Sequence, residues 1–262
     1  MKTTCSYLLC ATAVQLFTIS ICNAQTLALN TAPAGVAIDG NSKEWGDKMT
    51  YTDVKTKIDY TLTNDKDNLY LVVRTKDATQ QSSILGAGIT LSIDTKGKKK
   101  SSYIVTFPSS PADRDQSRYI DMPPQRIQGN TEMSAKFGKI HVEGFKDISE
   151  EELLVVNPYN ILIAMSYDAA SGYLTYEEAI PLALFHAGDL ATKEWAFNIK
   201  LNPVQGHEKA GPKLTKVANT AKPTDKSAGK DAGRDEFSKS ANIGLIDLTD
   251  EADFWGKFTL AK

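Results

Sequence analysis

One proline-rich stretch, residues 108–133, carries side chains well suited to holding a sugar. Arg118 and Tyr119 adjoin in it, and Arg126 follows in the same stretch. An arginine offers a planar set of hydrogen-bond donors, and a tyrosine ring offers a face on which the apolar side of a sugar stacks. The same residues also fit a solvated loop with ordinary charges. A carbohydrate or acidic-glycan site on this chain is therefore predicted to contain Arg118, Tyr119 and Arg126.

Trp255 is a further candidate for contact with a sugar, whereas the other two tryptophans are predicted to be structural. Trp195 alternates in phase with Phe197, which indicates a core position. Trp45 follows a turn signal and is predicted to have a structural, space-filling role. Trp255 is out of phase with Phe254 and therefore points to the opposite face of its strand. It is a candidate platform for a ligand, although a strand buried on both faces would give the same pattern.

Four aspartates offer oxygen ligands of the kind that calcium prefers. Asp65 and Asp67 alternate within one turn, and Asp77 and Asp94 are carboxylates at loop ends. The turn lacks both the glycine and the closing bidentate glutamate of a twelve-residue calcium loop, and aspartate also favours turns for backbone reasons alone. No motif requires a cofactor, and Ca²⁺ is the ion that these residues suggest.

Catalysis and haem binding have little support in the sequence. Glu177 and Glu178 adjoin in a predicted strand, so their side chains point to opposite faces and cannot act as a pair on one substrate. The chain contains neither a Gly-x-Ser-x-Gly phrase nor a phosphate-binding loop. The catalytic arrangement that remains possible is a triad assembled from residues distant in the sequence. A haem would need axial ligands such as His141 with Met165 or Met133, but Met165 lies in an apolar stripe where methionine is ordinary core filling. We therefore predict a protein that is not an enzyme.

The elements that must position these residues are predicted to be β-strands. Apolar and polar side chains alternate with a period of two in short runs, which is the pattern of half-buried strands, and turn signals separate the runs. The predicted fold class is all-β: an antiparallel two-sheet β-sandwich of jelly-roll-like type, with long loop insertions and very little helix. The clearest alternating runs are 58–63, 89–94, 103–107, 161–167 and 195–201.

Three other segments have a local interpretation. Residues 35–38 are predicted to form a short apolar strand that enters a turn at Asp39-Gly40. Residues 153–156 fit either a strand or part of a short helical turn, and periodicity does not decide between them. Pro181 stands at a helix-entry position and predicts one helical turn over 182–185.

Residues 25–262 are predicted to form a single domain. Two segments, 108–133 and 203–241, interrupt the strand pattern as insertions. The second contains almost no large apolar residue before Phe237, so it cannot bury enough surface to offset the entropy of ordering, and it is predicted to be mobile. A strand phrase at 254–260 then returns the chain to the sheet.

Residues 1–24 are predicted to be a signal peptide. Lys2 gives a positive start, an apolar stretch follows, and cleavage is predicted after Ala24. A lipoprotein attached at Cys22 is the alternative, but the isoleucine before Cys22 is larger than lipidation sites favour. All cysteines of the chain lie in this segment, so the mature chain can form no disulfide. The protein is therefore predicted to be secreted or to reside in the periplasm or cell envelope.

The composition also limits the class of partner. The formal net charge is −2, and no basic excess suggests nucleic acid. No second apolar run approaches the roughly 20 residues that a membrane span needs. The partners that remain are a poly- or oligosaccharide and another protein.

The order of several short phrases resembles that of the family 9 carbohydrate-binding modules and their DOMON-like relatives. The resemblance spans nearly the whole mature chain, and Asp77 matches a ligand-side aspartate of the family. The matching phrases are Ile-Asp-Gly-x-x-x-Glu-Trp at 38–45, Asp-x-x-Asn-Leu-Tyr-Leu-x-Val at 65–73, Ile-Asp at 93–94, Gly-Tyr-x-x-Glu-x-Ala-Ile-Pro at 172–181 with Glu178 as its glutamate and one extra residue before it, Trp-x-Phe-Asn at 195–198, and aromatic-Gly-x-x-x-Leu at 255–260.

The resemblance implies a secreted, non-catalytic β-sandwich that binds sugars and in some members calcium; related proteins of the same broad fold hold haem. Matching loop tryptophans that grip a sugar are not identifiable in this chain. A fold does not carry a function by itself. The main alternative is therefore a protein-interaction or envelope scaffold on the same fold, and a further one is an enzyme that acts on a polysaccharide through loop carboxylates.

Overall fold

The computed structural model describes residues 26–109, 138–188, 193–204 and 252–262. Strands dominate these residues and form two sheets that pack against each other, which confirms the predicted all-β sandwich. The predicted signal peptide, most of both predicted insertions, and the candidate residues Arg118, Tyr119 and Arg126 lie outside the described residues.

The strands follow the alternating runs of the sequence closely. In chain order they are β1 (Leu27–Ala28), β2 (Asn30–Thr31), β3 (Tyr51–Asp53), β4 (Ile58–Asn64), β5 (Asn68–Thr75), β6 (Ile89–Asp94), β7 (Tyr103–Phe107), β8 (Lys139–Glu143), β9 (Glu152–Leu154), β10 (Leu162–Asp168), β11 (Tyr173–Pro181), β12 (Trp195–Leu201) and β13 (Ala252–Thr259).

The first sheet has the order β1-β13-β12-β6-β7-β8-β9, and the second has the order β10-β11-β5-β4-β2 with β3 also paired to β4. All neighbours are antiparallel except β1 with β13 and β2 with β4, which are parallel. The sheets are therefore mixed, whereas the sequence predicted antiparallel pairing. The two parallel pairs arise because the short N-terminal segment joins the first sheet through β1 and then the second through β2.

A continuous apolar core lies between the sheets, where the inward-facing side chains of both meet. Trp195 is fully buried there, in contact with Phe185 and Phe258, which confirms its predicted core position. Residues 152–154 form β9 and resolve the ambiguity of that segment in favour of a strand. The residues after Pro181 form the predicted helical turn, a 3-10 helix over Leu182–Phe185.

The prediction of a strand at residues 35–38 is wrong. These residues pair with no sheet and instead lie over the outer face of the second sheet. Val36 and Ile38 pack there on a small apolar cluster that includes Trp45 and Val72. Apolar alternation indicates burial on one side, and here a covering segment rather than a paired strand provides it.

One α-helix, α1 (Ala78–Ala87), was not predicted from the sequence. Asp77 caps it, since its side chain accepts hydrogen bonds from the backbone N–H groups of Thr79 and Gln80. Asp77, a favourable N-cap residue, was the signal for this helix in the sequence. The first half of the helix is polar, so the sequence shows no apolar stripe that would indicate a helix. Within the described ranges, no helix has the length and apolar character needed to cross a membrane.

Gly256 in β13 leaves room for the ring of its cross-strand partner Phe197. A Cβ atom placed at Gly256 would lie 2.2 Å from Cε1 of Phe197 and 2.5 Å from Cζ. Such distances are far below van der Waals contact, so the ring or the strand would have to move. The aromatic-glycine phrase at 255–256 therefore has a packing cause.

We predict that Gly256→Ala lowers the free energy of unfolding by about 1–3 kcal/mol, because it overpacks the core. Chemical denaturation of the wild type and the variant measures this loss. The same substitution in a Phe197→Leu background is the control and should cost less, since leucine lacks the ring atoms that clash. An equal cost in both backgrounds would show that the ring is not the cause.

Candidate functional site

A buried carboxylate fixes the segment 39–45 against the outer face of the second sheet. Glu177 in β11 is fully buried and accepts three hydrogen bonds. The indole Nε1 of Trp45 donates to its Oε1 at 2.8 Å, and the backbone N–H groups of Gly40 and Asp39 donate to its Oε2 at 2.7 and 3.1 Å. Burial raises the pKa of Glu177 to about 7, while these donors favour the ionised form and oppose that shift.

The turn itself is shaped to approach the sheet closely. Gly40 has a φ of +84°, and a Cβ atom there would lie 3.0 Å from Cβ of Ser166. The Ser166 hydroxyl donates to the Gly40 carbonyl oxygen at 2.5 Å. A 3-10 helix over Ser42–Trp45 follows, and it carries the Trp45 side chain into the buried position that the sequence predicted for it.

An open cleft of about 540 Å³ lies between this turn and the hairpin formed by β10 and β11. We call it the Arg74 cleft. One wall is the backbone and side chains of the turn, and the other is the end of the hairpin. Its lining includes Ser42, Lys43, Asp47, Arg74, Asp168, Ser171, Tyr173 and Thr175.

Arg74 and Tyr173 both line this cleft and contact each other. The guanidinium carbon of Arg74 lies 4.8 Å from the centroid of the Tyr173 ring, a cation–π distance. The Arg74 Nη2 donates to the Asp47 carbonyl oxygen at 2.9 Å, and Nη1 lies 3.5 Å from the Ser42 hydroxyl. The buried Nε of Arg74 has no hydrogen-bond partner in the described structure. The register of β5 with β11 brings the two side chains together. Arg74 lies opposite Thr175, and Tyr173 is two residues before Thr175 on the same face of the sheet.

Opposite charges share the rim of the Arg74 cleft. The exposed carboxylate of Asp168 has its pKa lowered by hydrogen bonds from the Ser171 side chain and the Ala170 backbone N–H, and by the nearby charge of Lys43. The cleft thus offers cationic donors, anionic acceptors, hydroxyl groups and the aromatic rings of Tyr167 and Tyr173. Such a mixture suits a polar, uncharged ligand with several hydroxyl groups better than a lone ion.

Glu178, the next residue of β11, points to the opposite face and into the core. The Tyr176 hydroxyl donates to its Oε2 at 2.9 Å, and its Oε1 is buried without a hydrogen-bond partner in the described residues. Burial raises the pKa of Glu178 to about 8 despite that hydrogen bond. The sequence prediction that Glu177 and Glu178 face opposite ways is therefore confirmed, and the two carboxylates cannot meet one substrate.

The four aspartates suggested for calcium lie in different places. Asp65 and Asp67 occupy the turn between β4 and β5, and Asp77 lies beyond the other end of β5, a strand about 23 Å long. Asp94 ends β6 in the other sheet. Within the described ranges, no group of three or more His, Cys, Asp or Glu side chains is placed to hold a metal ion. Calcium binding stays a prediction. The positions of the four aspartates do not support one calcium site that they share.

Each of these aspartates also has local partners. Asp65 accepts hydrogen bonds from the backbone N–H groups of Asp67 and Asn68 and from the Tyr70 hydroxyl. Burial alone would raise the pKa of Asp65, but these hydrogen bonds hold it below its ordinary value. The Asp77 carboxylate, besides capping α1, pairs with Lys57 at 2.8 Å.

Asp94 is buried and accepts hydrogen bonds from backbone N–H groups alone. The donors are the N–H groups of Lys96, Lys98 and Lys100, at 2.7–3.1 Å. These bonds order the lysine-rich turn after β6. The aspartate therefore has a structural partner for each of its oxygens.

Trp255 lies on the face of β13 that points away from the core, as its phase predicted. Phe254 contacts core rings, whereas Trp255 is partly exposed and belongs to none of the buried clusters. Trp255 pairs with Asn198 on the first sheet, so it lies on a different sheet from the Arg74 cleft. Its role toward a ligand stays a prediction. Met165 lies in the core, and His141 lies beside Glu152 in the first sheet.

Neither Arg74 nor Tyr173 was predicted from the sequence to be a site residue. The available signal was weak: both lie at strand ends beside turns, and Tyr173 belongs to the Gly-Tyr phrase. The Glu-x-Ala-Ile-Pro spacing also fits Glu177, and the structure shows that Glu177, not Glu178, meets the Asp39-Gly40 turn and Trp45. The glutamate that holds the turn is therefore the residue before the one assigned to that phrase.

Comparisons with known proteins find no matching family model, no matching curated protein and no matching solved structure. The resemblance to family 9 modules therefore rests on the sequence phrases and stays a prediction.

We predict that Glu177→Gln lowers the free energy of unfolding by about 1–3 kcal/mol, because its amide NH₂ group would face backbone or indole donors. Thermal or chemical denaturation near pH 4.5 measures the loss, because the raised pKa of Glu177 lowers the stability of the wild type as the pH rises through about 7 and would mask the difference at pH 8. Trp45→Phe is the comparison variant. It removes only one of the three hydrogen bonds to Glu177, so it should lose less hydrogen-bond energy than Glu177→Gln. An unchanged stability of Glu177→Gln would show that the carboxylate does not anchor the turn.

We predict the opposite result for the adjacent Glu178→Gln. The folded-state pKa of Glu178 is raised from 4.5 to about 8, so the wild type has its full stability below pH 4.5 and loses stability as the pH rises through about 8. The variant cannot ionise, so it should match the wild type near pH 4.5 and exceed it by at least about 1 kcal/mol at pH 9. Denaturant titrations at both pH values test this, and parallel pH profiles would contradict it.

Proposed function

We propose that the protein is a non-catalytic carbohydrate-binding β-sandwich that holds its saccharide in the Arg74 cleft. The observation that carries the proposal is the arrangement of Arg74 against Tyr173 in an open, polar cleft. Saccharides bind through aromatic faces combined with a few fixed polar groups, because their C–H surfaces are apolar and their hydroxyl groups need partners.

The polar groups of the cleft support this ligand class. Arg74 and Lys43 donate hydrogen bonds, and the Asp168 carboxylate accepts them. The Ser171 and Thr175 hydroxyl groups can do either. A volume of about 540 Å³ lies within the range of small-molecule sites, which run from about 300 to 1,000 Å³. The anchor at Glu177 fixes one wall of the cleft, so little ordering is required when a ligand binds.

The carboxylates near the cleft support binding rather than hydrolysis. Glycoside hydrolysis commonly requires two carboxyl groups on either side of the bond that breaks. Glu177 lies beneath the turn with its oxygens occupied by donors, and Asp168 is exposed at the rim. This arrangement favours the proposal that the protein is not an enzyme. The signal-peptide pattern of residues 1–24 supports export to the periplasm, the cell envelope or the medium.

A scaffold for protein interaction is the second candidate function. Three apolar side chains in neighbouring stretches of sequence are exposed: Leu154 is 63% exposed, Val156 is 90% exposed and Leu162 is 47% exposed. Leu154 lies on β9 and Leu162 on β10, the strands that end the two sheets. Exposed apolar groups near sheet edges favour contact with another protein. A failure of every sugar to bind would leave this candidate as the better account.

We predict that Tyr173→Ala weakens binding to a saccharide at least about tenfold, equivalent to about 1.4 kcal/mol, because it removes the aromatic face. A glycan array identifies the sugar, and isothermal titration of wild type and variant measures the loss. Arg74→Met should weaken binding as well, since it removes the donors while keeping an unbranched side chain.

Trp255→Ala is the matched control on the other sheet. If Tyr173→Ala binds as the wild type does and Trp255→Ala does not, the saccharide site lies at Trp255 and the assignment to the Arg74 cleft is wrong. Retention of no sugar by the wild type would contradict the carbohydrate proposal itself. Thermal unfolding of each variant confirms that it is folded.

A further inference from the structure

A second cavity, of about 670 Å³, opens at the other end of the sandwich. We call it the lysine cavity. β6 ends just before Lys96, β8 ends just before Lys146, and β12 begins just after Lys193, so the antiparallel topology brings these three lysines to one end. The lining also includes Tyr103, Phe185 and Glu194.

The lysine cavity is well separated from the Arg74 cleft. Tyr173 begins β11 at the Arg74 cleft, and the 3-10 helix that ends at Phe185 follows β11 at its other end. Eight steps along a strand from Tyr173 to Pro181 span about 26 Å. The two sites can therefore bind their ligands independently.

The positive charges of the cavity are not balanced by its acids. In the described structure, neither Lys96 nor Lys146 has a carboxylate within 4 Å, and the Lys193 ammonium donates to the carbonyl oxygen of Ala187. Glu194 pairs with Lys257 at 2.5 Å and accepts a hydrogen bond from Thr26. The nearby Asp147 pairs with His186 at 2.7 Å. The acids are thus engaged with groups other than the three lysines.

We propose that the lysine cavity binds a phosphate or sulfate ester. Lysine ammonium groups act as compact point charges with freely rotating donors, whereas planar carboxylates are matched best by the fork of arginine. The described lining contains three lysines and no arginine. A tetrahedral oxyanion offers at least three acceptor oxygens, so it can accept from more than one ammonium group at once.

The size and the aromatic floor of the cavity indicate that the anion carries an organic group. A cavity of about 670 Å³ is larger than a bare oxyanion needs. The ring centroids of Tyr103 and Phe185 lie 5.2 Å apart in an edge-to-face arrangement. The Tyr103 hydroxyl donates a hydrogen bond to the Phe185 carbonyl oxygen at 2.7 Å. Phe185 is only 1% exposed, so the partly exposed ring of Tyr103 provides the apolar surface. The lysines hold the oxyanion, and this surface contacts the organic group of the ester.

The test is isothermal titration of the full chain with glucose 6-phosphate and galactose 6-sulfate at low salt. Glucose, galactose, inorganic phosphate and inorganic sulfate are the comparison ligands. At least one ester should bind more tightly than the bare anion and the neutral sugar. The triple variant Lys96→Gln, Lys146→Gln and Lys193→Gln should bind that ester at least about tenfold more weakly.

The matched control removes three charges from the same turn region but outside the cavity lining: Lys98→Gln, Lys99→Gln and Lys100→Gln. Equal losses in both triple variants would show general electrostatic attraction and overturn the proposal. Absence of binding by both esters would overturn it too, as would bare anions binding as tightly as the esters. Tyr173→Ala should leave ester binding unchanged, so failure of this proposal is distinguishable from failure at the Arg74 cleft.

Discussion

The burial of Glu177 beneath the segment 39–45 is the constraint on which the outer half of this structure depends. A carboxylate removed from water is costly unless donors replace the lost hydration. Here two backbone N–H groups and the Trp45 indole supply those donors. Because the donors come from a turn and a 3-10 helix, satisfying the carboxylate also fixes the path of the chain across the sheet. The wall of the Arg74 cleft follows from that path.

β11 connects the parts of the molecule that bear on function. Its outward-facing residues include Glu177 and, at one end, Tyr173 beside Arg74. Its inward-facing residues include Tyr176 and Glu178, which put a polar pair into an otherwise apolar core. Its far end continues through a 3-10 helix into the lysine cavity. Two adjacent glutamates on this strand therefore act in opposite environments, one satisfied by three donors and one held by a single tyrosine.

The two sites differ in the chemistry they offer. The Arg74 cleft combines cationic and anionic groups with hydroxyls, which suits the many hydrogen bonds of a neutral saccharide. The lysine cavity has a surplus of positive charge above an aromatic floor, which suits an anionic ester. A single chain that binds both a neutral and an anionic group would hold a charged or modified glycan at two points. Such two-point attachment raises the effective affinity without any further contact when the ligand spans both sites.

The sequence by itself determined the positions of five strands and the faces to which their side chains point. Alternation predicted β4, β6, β7, β10 and β12 because a pleated strand presents successive side chains to opposite faces. The same rule predicted the buried Trp195 and the outward Trp255. It failed at residues 35–38, because a covering segment and a paired strand can bury the same alternating side chains.

Only the tertiary structure decided which strand ends meet. Glu177 and Gly40 are 137 residues apart in sequence, and Arg74 and Tyr173 approach only through the register of β5 with β11. The three lysines of the second cavity come from three separate turns. Local patterns fix the face to which a side chain points, but they carry no information about strand order or register. Contacts between distant turns depend on both, so neither site could be read from the chain alone.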